Sequence, residues 1–345
     1  MATRRRRNSK KSSGAAGTFL SLGFVLLLAA GAAAWLVLIP YGPHAETYVE
    51  VLPGSSTQHI ARQLEEAGVI RTQYAFDLLR WFKRGTLRAG EYRFDHPATA
   101  SEVYARIARG DVFTIAVTIP EGSSVFDIAA RLEQAGFGPR QGFLDAAREE
   151  ATLVSDLDPK APSLEGYLFP DTYKFPRKAS PAQICITMLR RFRAEAQALG
   201  LKGNVHSVVT MASLVERETA VDSERPLVAS VFVNRLAKDM PLMTDPAVIY
   251  GLEVDNRWRG SIYQSDLKFD TPYNTYLHPG LPPGPIANPG VKSLRAAMEP
   301  AQTDYLYFVA AGANPQGHSL FSTTLEEQNR NVEGYRSATR KAGGH

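Results

Sequence analysis

From Phe19 to Pro40 the chain reads FLSLGFVLLLAAGAAAWLVLIP, without one charged side chain. At a helical rise of about 1.5 Å per residue, this run matches the roughly 30 Å hydrocarbon core of a bilayer. It therefore predicts a transmembrane helix over residues 18–41. Arg4, Arg5, Arg6, Arg7, Lys10 and Lys11 precede it, and the positive-inside bias keeps this basic tail, residues 1–17, in the cytoplasm. Trp35 and Tyr41 suit the far interface, and everything beyond about residue 42 is extracytoplasmic. The expectation is a single-pass protein of the cell (inner) membrane. The rival reading is a cleaved signal peptide, because AAGAAA offers small residues to a peptidase. The run is longer than the usual h-region of about 7–15 residues, which favours an anchor. On either reading the body is exported.

The tail also accounts for the charge. The chain carries +4 over 345 residues, and taking away the six tail cations leaves the remainder at −2. No broad cationic footprint for a phosphate backbone exists, which argues against nucleic acid as a partner. At 44% hydrophobic and 21% charged residues, the body is long and apolar enough to bury one or two cores. Cys185 is the sole cysteine, so an intramolecular disulfide is impossible. Its neighbours Ile184 and Ile186 predict a buried structural thiol.

A weak repeat organises the first half. VLPGSS at 51–56 followed by IARQLEEAG at 60–68 recurs as IPEGSS at 119–124 and IAARLEQAG at 128–136, with Gly122 displaced by 68 from Gly54. Each copy reads as a β-rich segment, a Gly-Ser turn whose second serine caps a helix, an amphipathic helix and a terminating glycine. Between the copies, residues 89–94 read as a strand and 100–109 as a helix begun by Thr99 or Ser101. Residues 45–115 thus form a small α+β module. Residues 116–340 form a second, mixed helical and β domain, with helices over 181–199, 205–219, 224–236 and 293–298 and a strand over 305–310. Beyond Pro241 the chain reads as loop-rich. The fold class is α+β.

The stretch VVTMASLVERET at 208–219 is the most informative for chemistry. On a helix of 3.6-residue period, Met211, Ala212, Leu214 and Val215 share one face, while Ser213 and Arg217 lie away from it. Glu218 falls between Leu214 and Met211, and Glu216 between Ala212 and Val209. Both carboxylates border the apolar face. A carboxyl held against apolar surface stays protonated nearer neutral pH and can serve as a general acid, as glycosidic-bond cleavage requires. The competing view is a pair of boundary glutamates matched to Arg217, Arg225 or Arg235, and the wheel does not choose between Glu216 and Glu218. No metal or cofactor is expected, because HExxH and CxxC spacings are absent and His278 and His318 are far apart. No Gly-x-Ser-x-Gly elbow occurs either. The YNTY segment at 273–276 offers stacking faces and an amide to sugars.

Several blocks together resemble the YceG-like family of endolytic murein transglycosylases: LEGYLFPDTY at 164–173, MASLVERETA at 211–220, SERPLVASVFVNRL at 223–236, MTDPAVIYG at 243–251, TPYNTYLHPGLPPGPIANPG at 271–290 and YLYFVA at 305–310. The resemblance implies a transmembrane anchor, a LysM-like small module and a catalytic domain. It implies peptidoglycan glycan strands as substrate, cut between N-acetylmuramic acid and N-acetylglucosamine without water, with peptidoglycan synthases as candidate partners. It aligns the catalytic acid with Glu218 and keeps Glu216 in reserve. Glu216, Glu165, Asp245, Tyr250 and Asn274 are the substrate-binding candidates it brings.

Three other functions are weighed. A hydrolytic muramidase would need a second carboxylate, for which Asp245 is the rival. A noncatalytic glycan-binding scaffold would use the small module and aromatic loops. A lyase acting on a small chorismate-like metabolite conflicts with export.

Overall fold

The computed structural model describes residues 13–83, 85–312 and 317–342. Residues 1–12, which hold the cations of the expected 1–17 tail, lie outside them. The chain divides into two compact units, one up to Thr114 and one from Ile115.

The first unit opens with α1 (Ser13–Leu38), whose stretch Thr18–Leu38 has a mean hydropathy of 2.2 and is long and apolar enough to cross a membrane. There follow β1 (Thr47–Val51), α2 (Thr57–Glu66), α3 (Gln73–Phe82), β2 (Gly90–Phe94) and α4 (Ala100–Arg109). β1 and β2 pair antiparallel with Val49 opposite Tyr92. Alternation along each strand turns Val49, Val51, Tyr92 and Phe94 inward, onto Ile60, Leu64, Phe76, Val103 and Ile107 of the helices. Thr99 caps α4 in a reciprocal box with Glu102. Helix α3 was not among the expected elements, although Thr72 caps it and Ala75, Phe76 and Leu79 share its buried face.

The division falls just inside β3 (Thr114–Thr118), which pairs with β4 (Thr172–Pro176) of the second unit. Between them lie α5 (Val125–Gln134) and α6 (Arg140–Glu149). The repeat is visible in local structure. Ser56 accepts from the His59 amide and Ser124 from that of Asp127, while Gly68 and Gly136 both take positive φ just past the helix. Ile60, Ala61 and Leu64 are buried in one copy, and Ile128, Ala129 and Leu132 in the other. Identical local signals thus build two strand–turn–helix elements in two different cores.

After β4 come α7 (Pro181–Leu199), α8 (Val205–Glu218), α9 (Arg225–Leu236), α10 (Asp245–Val254), α11 (Val291–Met298), β5 (Tyr307–Ala310), β6 (Ser319–Ser322) and α12 (Leu325–Ala342). α8 is the central helix: Val209 to Val215 are buried without interruption, packed against α9 and α11. β5 and β6 form an antiparallel hairpin, Tyr307 opposite Ser322. α10 corrects the loop-rich expectation beyond Pro241. Asp245 and Pro246 open it, but its apolar residues show no single face, so the period that marks a surface helix is missing. Cys185 is fully buried, and burial pushes its thiol up to about 12.

Candidate active site

Glu218 is the last residue of α8, after which Thr219 turns the backbone extended. Its half-buried side chain lines a cavity of about 430 Å³. The other walls come from Phe232 and Arg235 of α9, Leu242 to Thr244 ahead of α10, Asp245 at its first turn, Tyr276, Tyr307 and Phe308 of β5, and Leu325. Loss of water pushes the Glu218 carboxyl up to about 7, with the like charge of Asp245 adding to the rise and Arg235 and Arg217 opposing it.

The neighbours are held in place. The Tyr276 hydroxyl donates to Asp245 Oδ1 at 2.6 Å; burial, and then this bond, push the phenol up. Arg235 Nε donates to the Leu306 carbonyl at 2.7 Å, and its Nη1 to Leu242 at 2.8 Å and Pro241 at 3.2 Å. Its guanidinium also stacks over Tyr307, 5.3 Å from the ring centre. Backbone carbonyls thus fix a cation beside Glu218 without neutralising it. Thr244 Oγ1 is buried without a hydrogen-bond partner. Met243, half exposed at the rim, takes a left-handed backbone with φ +55°, unusual for a residue with a Cβ.

Glu218 and Asp245 are therefore brought together. The other four candidates do not line this cavity. Glu216 is buried: Oε1 accepts from Arg225 Nη1 at 2.8 Å, and Oε2 from the Gly290 amide at 3.0 Å. It ties α8 to α9 and to the start of α11. Glu165 is buried with Oε2 accepting from the Val125 amide and Oε1 from Asn288 Nδ2, both at 2.8 Å. Burial pushes it up to about 8 against these bonds and that of Tyr250. Its neighbour Gly166 has φ +87°, and a Cβ there would lie 2.5 Å from Pro285 and 2.8 Å from Val209, so only glycine lets this segment close on α8.

Tyr250 is buried on α10 against Tyr273, ring centres 4.8 Å apart, and Phe126. It borders a separate cavity of about 210 Å³ with Arg148 and Ser163. Asn274 is fully buried; its Nδ2 donates to the carbonyls of Leu267 and Phe269, and its Oδ1 accepts from the Tyr276 amide. It shapes the loop that presents Tyr276. In the sequence the YNTY segment stands out as a whole, without Tyr276 being singled out, and Arg235 only as a partner for a boundary glutamate. No local pattern in the sequence singles out either residue.

The described residues hold no group of three or more His, Cys, Asp or Glu side chains that could grip a metal. His278 pairs with Asp270 and His318 with Glu224.

Residues 49–334 match the YceG-like family. An endolytic murein transglycosylase of Bacillus subtilis (strain 168) is 34% identical over 313 residues, covering 84% of this chain and 85% of the relative. One from Streptococcus pneumoniae serotype 2 (strain D39) is 29% identical over 331 residues, covering 86% of this chain and 60% of that longer protein. A crystal structure of a yceG-like protein from Listeria monocytogenes superposes with a TM-score of 0.54 at 33% identity, covering 83% of this chain and 98% of the other.

Proposed function

We propose that this chain, which belongs to the YceG-like family, is an endolytic murein transglycosylase with Glu218 as its catalytic acid. The observation that carries the reading is a carboxyl raised to about 7, lining a cavity beside a fixed cation. The substrate is the peptidoglycan glycan strand, cut at the β-1,4 bond between N-acetylmuramic acid and N-acetylglucosamine. Protonated Glu218 gives its proton to the glycosidic oxygen as the bond to the anomeric carbon breaks. The carboxylate left behind takes the proton of the muramyl C6 hydroxyl as that oxygen bonds to the anomeric carbon. A 1,6-anhydro end forms, the acid is regenerated, and no water is consumed. Between the two transfers Arg235 stabilises the carboxylate.

Internal cuts of this kind limit the elongation of nascent strands, and an anchor confines them to strands near the membrane. The apolar helix α1 supports such an anchor, with the N-terminus cytoplasmic by the charge of the tail. The order β1-α2-α3-β2 with paired strands supports a LysM-like module over residues 45–115 ahead of a catalytic domain over 116–340. Peptidoglycan synthases are candidate partners in this setting.

Asp245 favours a second reading. It lines the same cavity as Glu218, and a carboxylate there could activate water, as a hydrolytic muramidase requires. Mass analysis of purified strands digested by the full-length protein separates the two: anhydro ends are expected, and reducing ends would convert the enzyme into a muramidase. A scaffold without activity would leave the strands uncut and cellular function intact in Glu218→Gln.

A further inference from the structure

The end of α1 is built into the first unit. Leu36 and Val37 pack against its core, and the guanidinium of Arg71 lies over Trp35 at 4.1 Å and Tyr41 at 4.8 Å. Tyr41 and Ala98 exchange backbone hydrogen bonds at 3.0 Å in both directions. The 21 apolar residues Thr18–Leu38 are only as long as a bilayer's hydrocarbon core of roughly 30 Å. If α1 crosses the membrane, its last turn lies at the outer boundary, and a unit that encloses Leu36 and Val37 is held at headgroup depth.

Helix α3 touches α1 and begins two residues after Arg71. One face, Ala75, Phe76 and Leu79, is buried in the core. The face adjoining it is also apolar. Tyr74 is 71% exposed, Trp81 72% and Phe82 69%, with Leu78 half-buried between them. The Trp81 and Phe82 rings meet edge to face, 4.7 Å apart. Positions 74, 78, 81 and 82 recur at the helical period, so they form one stripe. Arg71, Arg80 and Lys83 flank it, against Asp77 as the single acid of the helix. Large aromatics with one wet edge and nearby cations fit the boundary between acyl chains and anionic headgroups. Three such rings in the open would otherwise be a solubility liability for a small module.

We propose that the stripe Tyr74, Leu78, Trp81 and Phe82 of α3 docks into the outer headgroup layer of the membrane that α1 crosses, fixing the first unit flat on the lipid surface. The occupant is phospholipid, with the basic flank favouring anionic lipids. This rests on the reading of α1 as a membrane span, and the test separates the two. The full-length protein, with tryptophan only at 35, 81 and 258, is placed in lipid nanodiscs as two single-tryptophan forms: one keeping Trp81 (Trp35→Phe, Trp258→Phe) and one keeping Trp35 (Trp81→Phe, Trp258→Phe). Lipids brominated near the headgroup are the quencher. Both forms are expected to be quenched, and quenching of Trp81 should increase with the share of anionic lipid. Quenching of Trp35 without Trp81 would overturn the docking and leave the anchor standing. Quenching of neither would overturn both. A Trp81 silent to lipid but shifted to the blue by added glycan strands would overturn the proposal in favour of a sugar platform.

Discussion

Glu216 and Glu218 stand two positions apart on the last turn of α8 and meet opposite surroundings. Glu216 is locked by Arg225 and the Gly290 amide, whereas Glu218 faces a cavity beside Asp245 with its charged form disfavoured. One glutamate is tied into the packing of three helices, and the other is the acid of the proposed mechanism.

Exchange of each for glutamine should therefore separate them. Glu218→Gln is expected to lower strand cleavage by a factor on the order of 10²–10⁴, the usual worth of a general acid, with an unchanged melting temperature. Glu216→Gln strands the buried Arg225 and is expected to destabilise the fold by about 3–5 kcal/mol. Turnover and chemical denaturation on both variants provide the check, and equal stability of the two would refute the assignment.

The rate should fall with rising pH. The acid must be protonated, and its carboxyl titrates at about 7, so cleavage on the alkaline limb is expected to decline through that pH. A profile flat from pH 6 to 9 would remove Glu218 from the proton-donating role.

Arg235→Met removes the cation that opposes the rise of Glu218. The alkaline limb should move to higher pH while the maximal rate drops, because the carboxylate formed at bond breakage loses its stabiliser. A lowered rate with an unmoved limb would mean that Arg235 acts only on the loop carbonyls it binds.

Glu165 predicts a stability effect. Its folded pKa, about 8, lies above the value of roughly 4.3 for an unfolded glutamate. Between these values the folded state holds a proton that the unfolded state has released, so this group lowers stability as pH rises from about 4.3 towards 8. Glu165→Gln keeps the neutral form's shape and should flatten that decline, as read from denaturation midpoints at pH 5 and pH 8.

Asn274→Ala should act through Tyr276. Losing the amide bonds to Leu267 and Phe269 loosens the loop that aims the phenol at Asp245. Cleavage should fall together with stability, and Tyr276→Phe should lower cleavage alone. Unimpaired cleavage by Tyr276→Phe would show that the Asp245 contact has no part in turnover.

Much of the architecture was legible where the signal is local. The second serine of each Gly-Ser turn marked a cap, and both Ser56 and Ser124 cap. The uncharged run marked α1, and the wheel put Glu216 and Glu218 at the border of the buried face. Helix α10 escaped because it lacks a periodic apolar face; α3 does carry one, in Ala75, Phe76 and Leu79 behind the Thr72 cap, and was missed.

What the sequence by itself determined was therefore the anchor-like helix, the two caps, the α+β class and the short list of carboxylates, since each depends on neighbours within a turn or two. Which carboxylate meets the cavity was decided only by tertiary structure. Arg225 from α9 and the Gly290 amide ahead of α11 arrive at Glu216 from 9 and 74 residues away, while Arg235 and Asp245 converge on Glu218. A side chain's proton affinity depends on burial and charges within a few ångströms, and chain order does not reveal which distant groups fill that space.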